Sequence, residues 1–211
     1  MSFSDRSSRS KYIANRFKSF LIGRILDVDC DKAIPKHLLP GVNYTGIDIA
    51  GNPNIKPNLE DIDNLPFDSE SFDCVVCSDA LEHLDNLHHI FSELTRVAKR
   101  YIIISLPNNW VNARRPIGRG KGSIGHYGLP VETPHDRHKW FFSMTEAIDF
   151  IRGQEKGYPV LIRDLYVTEK PKLFIIRALR RILYLLRERY FNRYAHTLWI
   201  ILEKKHSAKE A

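Results

Sequence analysis

Short apolar runs alternate with stretches of helical periodicity along the first half of the chain. Runs of this length that are apolar almost throughout are typical of buried strands in a parallel sheet with helices on both faces. The periodicity predicts amphipathic helices over residues 11–22, 34–39 and 85–98. The predicted strands cover 24–28, 43–49, a weak run near Ile55, 72–78 and 101–105.

The second half changes character. Residues 106–140 contain Pro, Gly, Arg and His without a clear period, and so long a stretch predicts a functional cap over a binding site. Ser143 and Glu146 form a capping-box pattern that begins a helix to about Arg152. Further strands are predicted at 158–167 and 196–204. Between them, 173–190 reads as one helix, within an insertion over 171–193.

Composition limits the classes of protein to consider. Of the 211 residues, 43% are hydrophobic and 27% are charged, which is typical of a globular domain and not of a disordered chain. The apolar runs fall short of the roughly 20 residues that span a bilayer. The polar first residues lack a signal-peptide core, so we expect a single domain over 1–211 in the cytoplasm.

Three cysteines fit a reducing compartment, and they predict no metal site. Cys74 and Cys77 lie in one strand-like run, at an interval that sends their side chains to opposite faces. No second CxxC pair exists to complete a four-ligand site. We therefore interpret both thiols as buried packing residues.

The net charge of +7 is concentrated in residues 171–211, which hold 10 Lys and Arg against 3 Asp and Glu. The helix predicted over 173–190 has arginines on one face and aliphatic residues over the rest. Its wide apolar surface must be covered by the sheet, a second subunit or a membrane interface. We expect core packing or a homodimer before peripheral membrane contact. Nucleic acid is not favoured as a partner, because no recognised binding motif accompanies the charge.

Two acidic residues stand at the predicted ends of neighbouring strands. Asp27 ends the first strand, and Asp48 follows 21 residues later at the end of the second. An acidic residue about 20 positions after a cofactor loop is placed to accept hydrogen bonds from ribose hydroxyls. Open parallel sheets bind ligands outside the carboxyl ends of their strands. We therefore expect the site in the loops after 28, 49, 78 and 105.

A series of segments resembles the motifs of class I S-adenosylmethionine-dependent methyltransferases, particularly the methyltransferase type 11 group. They cover about 20–108 in the family's order and spacing, and 135–151 resembles a later family segment. The resemblance implies a doubly wound, mostly parallel, seven-stranded α/β sheet of the Rossmann-like methyltransferase fold. The segments are ILDVDCDKA, YTGIDIA, EDIDNLPFDSESFD, VVCSDALEHLDN, RVAKRYIIISLPN and HDRHKWFFSMTEAIDFI.

The resemblance also implies a binding site for S-adenosylmethionine. Asp48 would bind the ribose diol, and Ile49 would pack on the adenine. Asp61 would accept a hydrogen bond from the adenine amino group, with Ile62 packing beside it. The residues implied near the methionine end are Asp27, Asp29, Cys30, Asp31, Ser78 and Asp79.

The first motif departs from the family pattern, which is acidic-x-Gly-x-Gly-x-Gly. Asp29, Asp31 and Ala33 stand where the glycines are expected. Glycine allows close backbone approach and positive φ, and Asp tolerates left-handed conformations better than most residues. Asp31 could pair with the cofactor ammonium. The side chain of Asp29 would crowd the cofactor, and its charge would repel the cofactor carboxylate. We expect binding to persist, in a weakened form.

Methyl transfer needs in-line positioning and a nearby base. Histidines of the cap are the candidate catalytic residues because imidazole titrates near neutral pH. These are His126, His135 and His138, and the candidate substrate-binding residues are Asn108, Asn109 and Tyr127.

The sequence therefore predicts a methyltransferase acting on an oxygen or nitrogen of a small-molecule, glycan or lipid-linked acceptor. Two alternatives stay open. One is a methyltransferase-like scaffold that has lost the cofactor, which the missing glycines favour. The other is a nucleic-acid-binding or nucleic-acid-modifying protein.

Overall fold

The computed structural model describes residues 6–28, 34, 38–48, 53–132, 134 and 137–205. Their strands form one sheet in the order β2-β1-β3-β4-β6-β5. The first four pair in parallel, and β6 runs antiparallel to both of its neighbours. The strands are β1 (Arg24–Val28), β2 (Asn43–Ile47), β3 (Phe72–Ser78), β4 (Ala98–Pro107), β5 (Val160–Glu169) and β6 (Ala195–Lys204).

Helices follow the strands in the alternation that the sequence predicts. A short 3-10 turn, Leu81–His83, separates β3 from the helix after it. The helices are α1 (Arg6–Arg16), α2 (Leu87–Val97), α3 (Asn109–Gly118), α4 (Met144–Gly157), α5 (Phe174–Leu183) and α6 (Arg187–Tyr194).

The core lies in two layers, one on each face of the sheet. Neighbouring strand residues alternate between them: Val75 belongs to the layer with α2 and α4, and Val76 to the layer with α1. Cys77 and Cys74 divide in the same way, and both are buried and not part of a disulfide. The interpretation of these cysteines as packing residues on opposite faces is confirmed.

The described residues form six strands, where seven were predicted. Ile55 makes only an isolated parallel bridge to Ile47 at the β2 edge. Its backbone is held nearby, because Asp48 N donates to Ile55 O at 3.3 Å and Asn54 N to Gly46 O at 2.9 Å. Ile55 is itself exposed, so no packing extends the bridge into a strand.

The capping box at α4 is confirmed, since Ser143 accepts from the Glu146 amide and Glu146 accepts from the Ser143 amide. Helix α1 begins five residues before the predicted start and ends six before the predicted end. Gly23 explains the turn into β1: its φ is +68°, and a Cβ there would lie 2.1 Å from the Asp73 carboxylate that binds the Arg24 amide. Half of the helix predicted over 34–39, residues 35–37, lies outside the described residues.

One prediction for the second half is wrong, and one helix was not predicted. The helix that was not predicted is α3, in the first part of 106–140. The single helix predicted over 173–190 is two helices, broken at residues 184–186. Tertiary contacts of α6 explain the break: Tyr190 is buried and donates to Glu169 at 3.0 Å, and the Asn192 side chain accepts from Thr145 at the start of α4. These contacts hold α6 against β5 and α4, so the chain turns between α5 and α6.

Candidate active site at the carboxyl edge of the sheet

The acidic residues predicted at the strand ends lie together at one edge of the sheet. Because β1, β2 and β3 are parallel neighbours, their carboxyl ends coincide. Asp27 and Asp48 are both buried, with 6% and 3% of their surface exposed. Burying a carboxylate costs free energy unless polar groups bind it. Buried carboxylates are therefore found more often at functional sites than as packing residues.

Tyr44 supports Asp27 from the neighbouring strand. Its hydroxyl donates to Asp27 Oδ2 at 2.5 Å and accepts from the Ile34 amide at 3.3 Å. Asp27 and Ile34 stand just before and just after the segment that lacks the family glycines. One phenol therefore connects both ends of that segment.

A polar network joins the ends of β3 and β4. Ser78 and Ser105 share a hydrogen bond of 2.9 Å, and Ser105 Oγ donates to Asp79 Oδ1 at 2.6 Å. Arg9 of α1 reaches the other oxygen of Asp79 at 2.5 Å. Asp79 has a φ of +50°, a left-handed conformation that turns the chain sharply at the strand end. The network presents a carboxylate and a guanidinium side by side.

The predicted adenine-binding pair lies in the loop before β3. Asp61 is exposed and its carboxylate accepts from the Asn58 amide. Ile62 is half-buried and packs on the core layer of α2. Five predicted site residues lie outside the residues that the structure describes: Asp29, Cys30, Asp31, Ile49 and His135.

The structure brings four of the predicted acceptor-side residues together. His138 Nδ1 lies 2.8 Å from Tyr127 Oη and 2.8 Å from Asn109 Nδ2. The rings of His126 and His138 stack with centroids 4.6 Å apart. Burial and the charge of Glu82 raise the pKa of Tyr127, so its hydroxyl stays protonated at neutral pH and acts as a hydrogen-bond donor.

Asn108, predicted to bind substrate, is placed differently. It is fully buried, and its amide donates to the backbone carbonyls of Phe191, Asn192 and Ala195. In this position Asn108 braces the junction of α6 and β6.

Glu82, His83 and His138 are the group among the described residues whose donors could hold a metal ion. Their ligand atoms lie within 4.8 Å of one another. A carboxylate and two imidazoles suit Zn²⁺ and similar divalent ions. His138 Nδ1 faces Tyr127 and Asn109, so Nε2 would be the nitrogen that binds the ion, and a liganding histidine commonly hydrogen-bonds through its other nitrogen.

An apolar groove of about 430 Å³ opens beside this cluster, between α3 and α6. Phe141 forms part of its wall, and the Phe141 ring contacts Tyr127 edge-on at 5.1 Å. Phe141 therefore lies between the groove and the cluster of Tyr127 and His138. Its lining residues are Trp110, Ala113, Arg114, Ile117, Phe141, Tyr184, Arg189, Asn192 and Arg193.

Sequence reasoning missed several residues of this edge. Arg9 precedes every recognised motif, so no spacing pointed to it. Tyr44 lies inside a matched segment, yet its role depends on the register between β1 and β2. Ser105 and Glu82 could have been found, since both lie at or just after a predicted strand end.

Comparison with known proteins agrees with this fold. Residues 26–104 match the family model described as a methyltransferase domain. A SAM-dependent methyltransferase from Archaeoglobus fulgidus is similar in structure, with 18% identity, a TM-score of 0.59 and coverage of 95% of each chain. No curated protein matches the chain.

Two further solved structures are similar. The small RNA methyltransferase HEN1 shares 15% identity with a TM-score of 0.59, over 98% of this chain and 27% of that one. Magnesium protoporphyrin IX methyltransferase from Synechocystis PCC 6803, solved with bound SAH, shares 15% identity with a TM-score of 0.54, over 94% of this chain and 83% of that one.

The sheet order and the strand-end carboxylates define a Rossmann-like α/β fold of the methyltransferase class. Residues 26–104 thus resemble a methyltransferase domain, and the chain has the fold of S-adenosylmethionine-dependent methyltransferases of known structure.

Proposed function

We propose that the protein transfers a methyl group from S-adenosylmethionine to an oxygen or nitrogen atom of a small-molecule, glycan or lipid-linked acceptor. The observation that carries the proposal is the pair of buried carboxylates, Asp27 and Asp48, at adjacent strand ends inside the matched segment. Such carboxylates can accept hydrogen bonds from ribose hydroxyls and from an ammonium group, and S-adenosylmethionine carries both.

The residues of the edge match the polar groups of the cofactor. Asp48 would accept from the ribose hydroxyls, and Asp61 from the adenine amino group. At the amino-acid end, Asp79 would face the ammonium and Arg9 the carboxylate, since the two side chains lie in contact there. When bound, the cofactor supplies an electrophilic methyl group on sulfur.

The acceptor side is formed by the cap. His138 is buried and bonded at Nδ1, so its ring orientation is fixed. When Nδ1 carries the proton and donates it to Tyr127 Oη, Nε2 can take a proton from an acceptor. Tyr127 would donate a hydrogen bond to the acceptor or hold the imidazole. The neighbouring groove has apolar walls and several arginines, which favours an acceptor with an apolar part and an anionic group.

The inactive-scaffold alternative rests on Asp29, Asp31 and Ala33 in place of the family glycines. Calorimetric titration with S-adenosylhomocysteine separates the two functions. A methyltransferase binds it with a stoichiometry near one, and a scaffold does not.

Asp48→Ala should weaken S-adenosylhomocysteine binding by about 1–3 kcal/mol, the range for a lost hydrogen bond to a charged group. The matched control is Asp149→Ala, which removes an exposed carboxylate from α4 and should leave affinity unchanged. A folded Asp48→Ala protein with wild-type affinity would contradict the ribose assignment.

A further inference from the structure

Helix α5 presents its apolar side to solvent. It contains no buried residue, and six large aliphatic or aromatic side chains on it are exposed. Three of the most exposed are Phe174 at 84%, Ile175 at 70% and Leu183 at 76%. Leu173 before the helix and Leu185 and Leu186 after it extend the same surface.

The arginines of α5 face the protein. Arg177 lies 3.8 Å from Glu169 at the end of β5. The Arg180 guanidinium lies over the Tyr194 ring at 4.4 Å, and Arg181 lies 5.8 Å from the Tyr190 ring centroid. An ordinary surface helix has the opposite orientation, with its apolar side inward. The protein's own core therefore does not cover α5.

The surroundings of α5 are positively charged. Lys170 and Lys172 are exposed just before the helix, and Arg187 and Arg189 are exposed just after it. Two copies of this surface would bring like charges together, whereas an anionic bilayer is complementary to it. Charge thus favours a membrane over a second copy of the chain.

The groove between α3 and α6 continues this surface. Tyr184, the residue just after α5, lines the groove together with exposed Trp110 and Ile117. Arg114 and Arg193 lie at its side, and the Nε atom of each is buried without a hydrogen-bond partner among the described residues. Burial and the nearby Arg193 lower the pKa of Arg114. An anionic group would relieve this crowding of positive charge.

We propose that α5 and its flanking leucines dock the protein on an anionic lipid bilayer, with the arginine-lined groove receiving a lipid headgroup. The aliphatic side chains enter the interface, and the flanking lysines and arginines meet the anionic headgroups. This inference does not depend on methyl transfer.

Vesicle co-sedimentation tests the docking. The full chain should bind vesicles of phosphatidylcholine and phosphatidylglycerol and should bind neutral phosphatidylcholine vesicles much more weakly. Replacing Ile175, Leu179 and Ile182 with Gln should reduce binding at least about tenfold, because apolar burial is lost. The thermal midpoint should stay near the wild-type value, since none of the three is buried.

The matched control replaces Leu129 and Val131 with Gln. Both are fully exposed apolar residues in the loop after α3, and binding should not change. A second variant, Lys170→Gln with Lys172→Gln, leaves the helix sequence intact. It should weaken binding to anionic vesicles by about fivefold for each charge removed and reduce its salt dependence.

Three results would overturn the proposal. One is equal affinity of the wild type and the glutamine variant for anionic vesicles. Another is a wild-type dimer in light scattering that the same variant converts to monomers, with no vesicle binding by either. The third is a large loss of stability in that variant together with unchanged vesicle binding by the lysine variant, which would show that α5 packs within the protein.

Discussion

A single phenol joins the two ends of the segment in which the family glycines are missing. Tyr44 Oη binds the Asp27 carboxylate and the Ile34 amide, so it fixes the separation between the end of β1 and the return of the chain. Glycines would normally let that segment approach the cofactor closely. Here a side chain on the neighbouring strand contacts both ends of that segment.

Tyr44→Phe should lower both stability and cofactor affinity. The buried Asp27 carboxylate loses a donor, which costs about 1–3 kcal/mol of unfolding free energy. S-adenosylhomocysteine binding should weaken by several fold in calorimetry because the segment ends are no longer tied. Tyr166→Phe is the matched control: it removes the 2.8 Å hydrogen bond to Tyr12 elsewhere in the fold and should leave affinity unchanged. Equal affinity in the two variants would refute this role for Tyr44.

At the scale of residues, the sequence predicted the polar side chains that stand at the ends of apolar strands. Asp27 and Asp48 stand at predicted positions because a carboxylate after an apolar run is visible in the sequence. Arg9 and Tyr44 were not visible, because their roles depend on contacts between distant segments. The pairing of Arg9 with Asp79 spans 70 positions.

Two charged residues of helix α2, Glu93 and Arg96, bind the loop before β3. Arg96 binds both oxygens of Glu93 and also donates to the carbonyls of Phe67 and Leu65. Glu93 is buried and accepts from the Leu65 amide at 2.7 Å. These hydrogen bonds hold the loop that carries Asp61, so this element contributes indirectly to the candidate cofactor site.

Glu93→Gln should destabilise the fold by about 1–3 kcal/mol at pH 7, in the range for hydrogen bonds to charged groups. The Arg96 hydrogen bond lowers the pKa of Glu93 below its ordinary 4.5, so its stabilising effect is present above that value. As the pH falls through the lowered pKa, the effect is lost and the two proteins should converge in stability. Urea denaturation between pH 3 and 7 checks this. A difference in unfolding free energy that stays constant over the whole range would contradict the stabilising role of ionised Glu93. The control is Asp149→Asn, at an exposed position.

Elements with strong local signals were predicted well. Buried strands such as β3 and β4, and the capped start of α4, have patterns that local sequence determines. The two-helix arrangement of α5 and α6 was missed because helical periodicity runs through 184–186. Only the packing of Tyr190 and Asn192 shows that the chain must turn there.

On the scale of the whole molecule, positive charge and exposed apolar surface occur together. The basic excess of residues 171–211 coincides with exposed α5 and with the arginine-lined groove. The groove reaches the His138 cluster through Phe141 and Tyr127. Under the proposed function, an acceptor held at a membrane could enter from that side while the cofactor lies across the strand ends. No helix among the described residues is long and apolar enough to cross a membrane.

The central claim is that S-adenosylmethionine binds across the carboxyl ends of β1 to β4. Hydrogen-exchange mass spectrometry with and without saturating S-adenosylhomocysteine tests it most directly. The account predicts slower exchange in peptides covering 43–48, 58–62 and 78–84, with no change in α5. Unchanged exchange in those three segments, or protection confined to α5 and the groove beside it, would contradict the account.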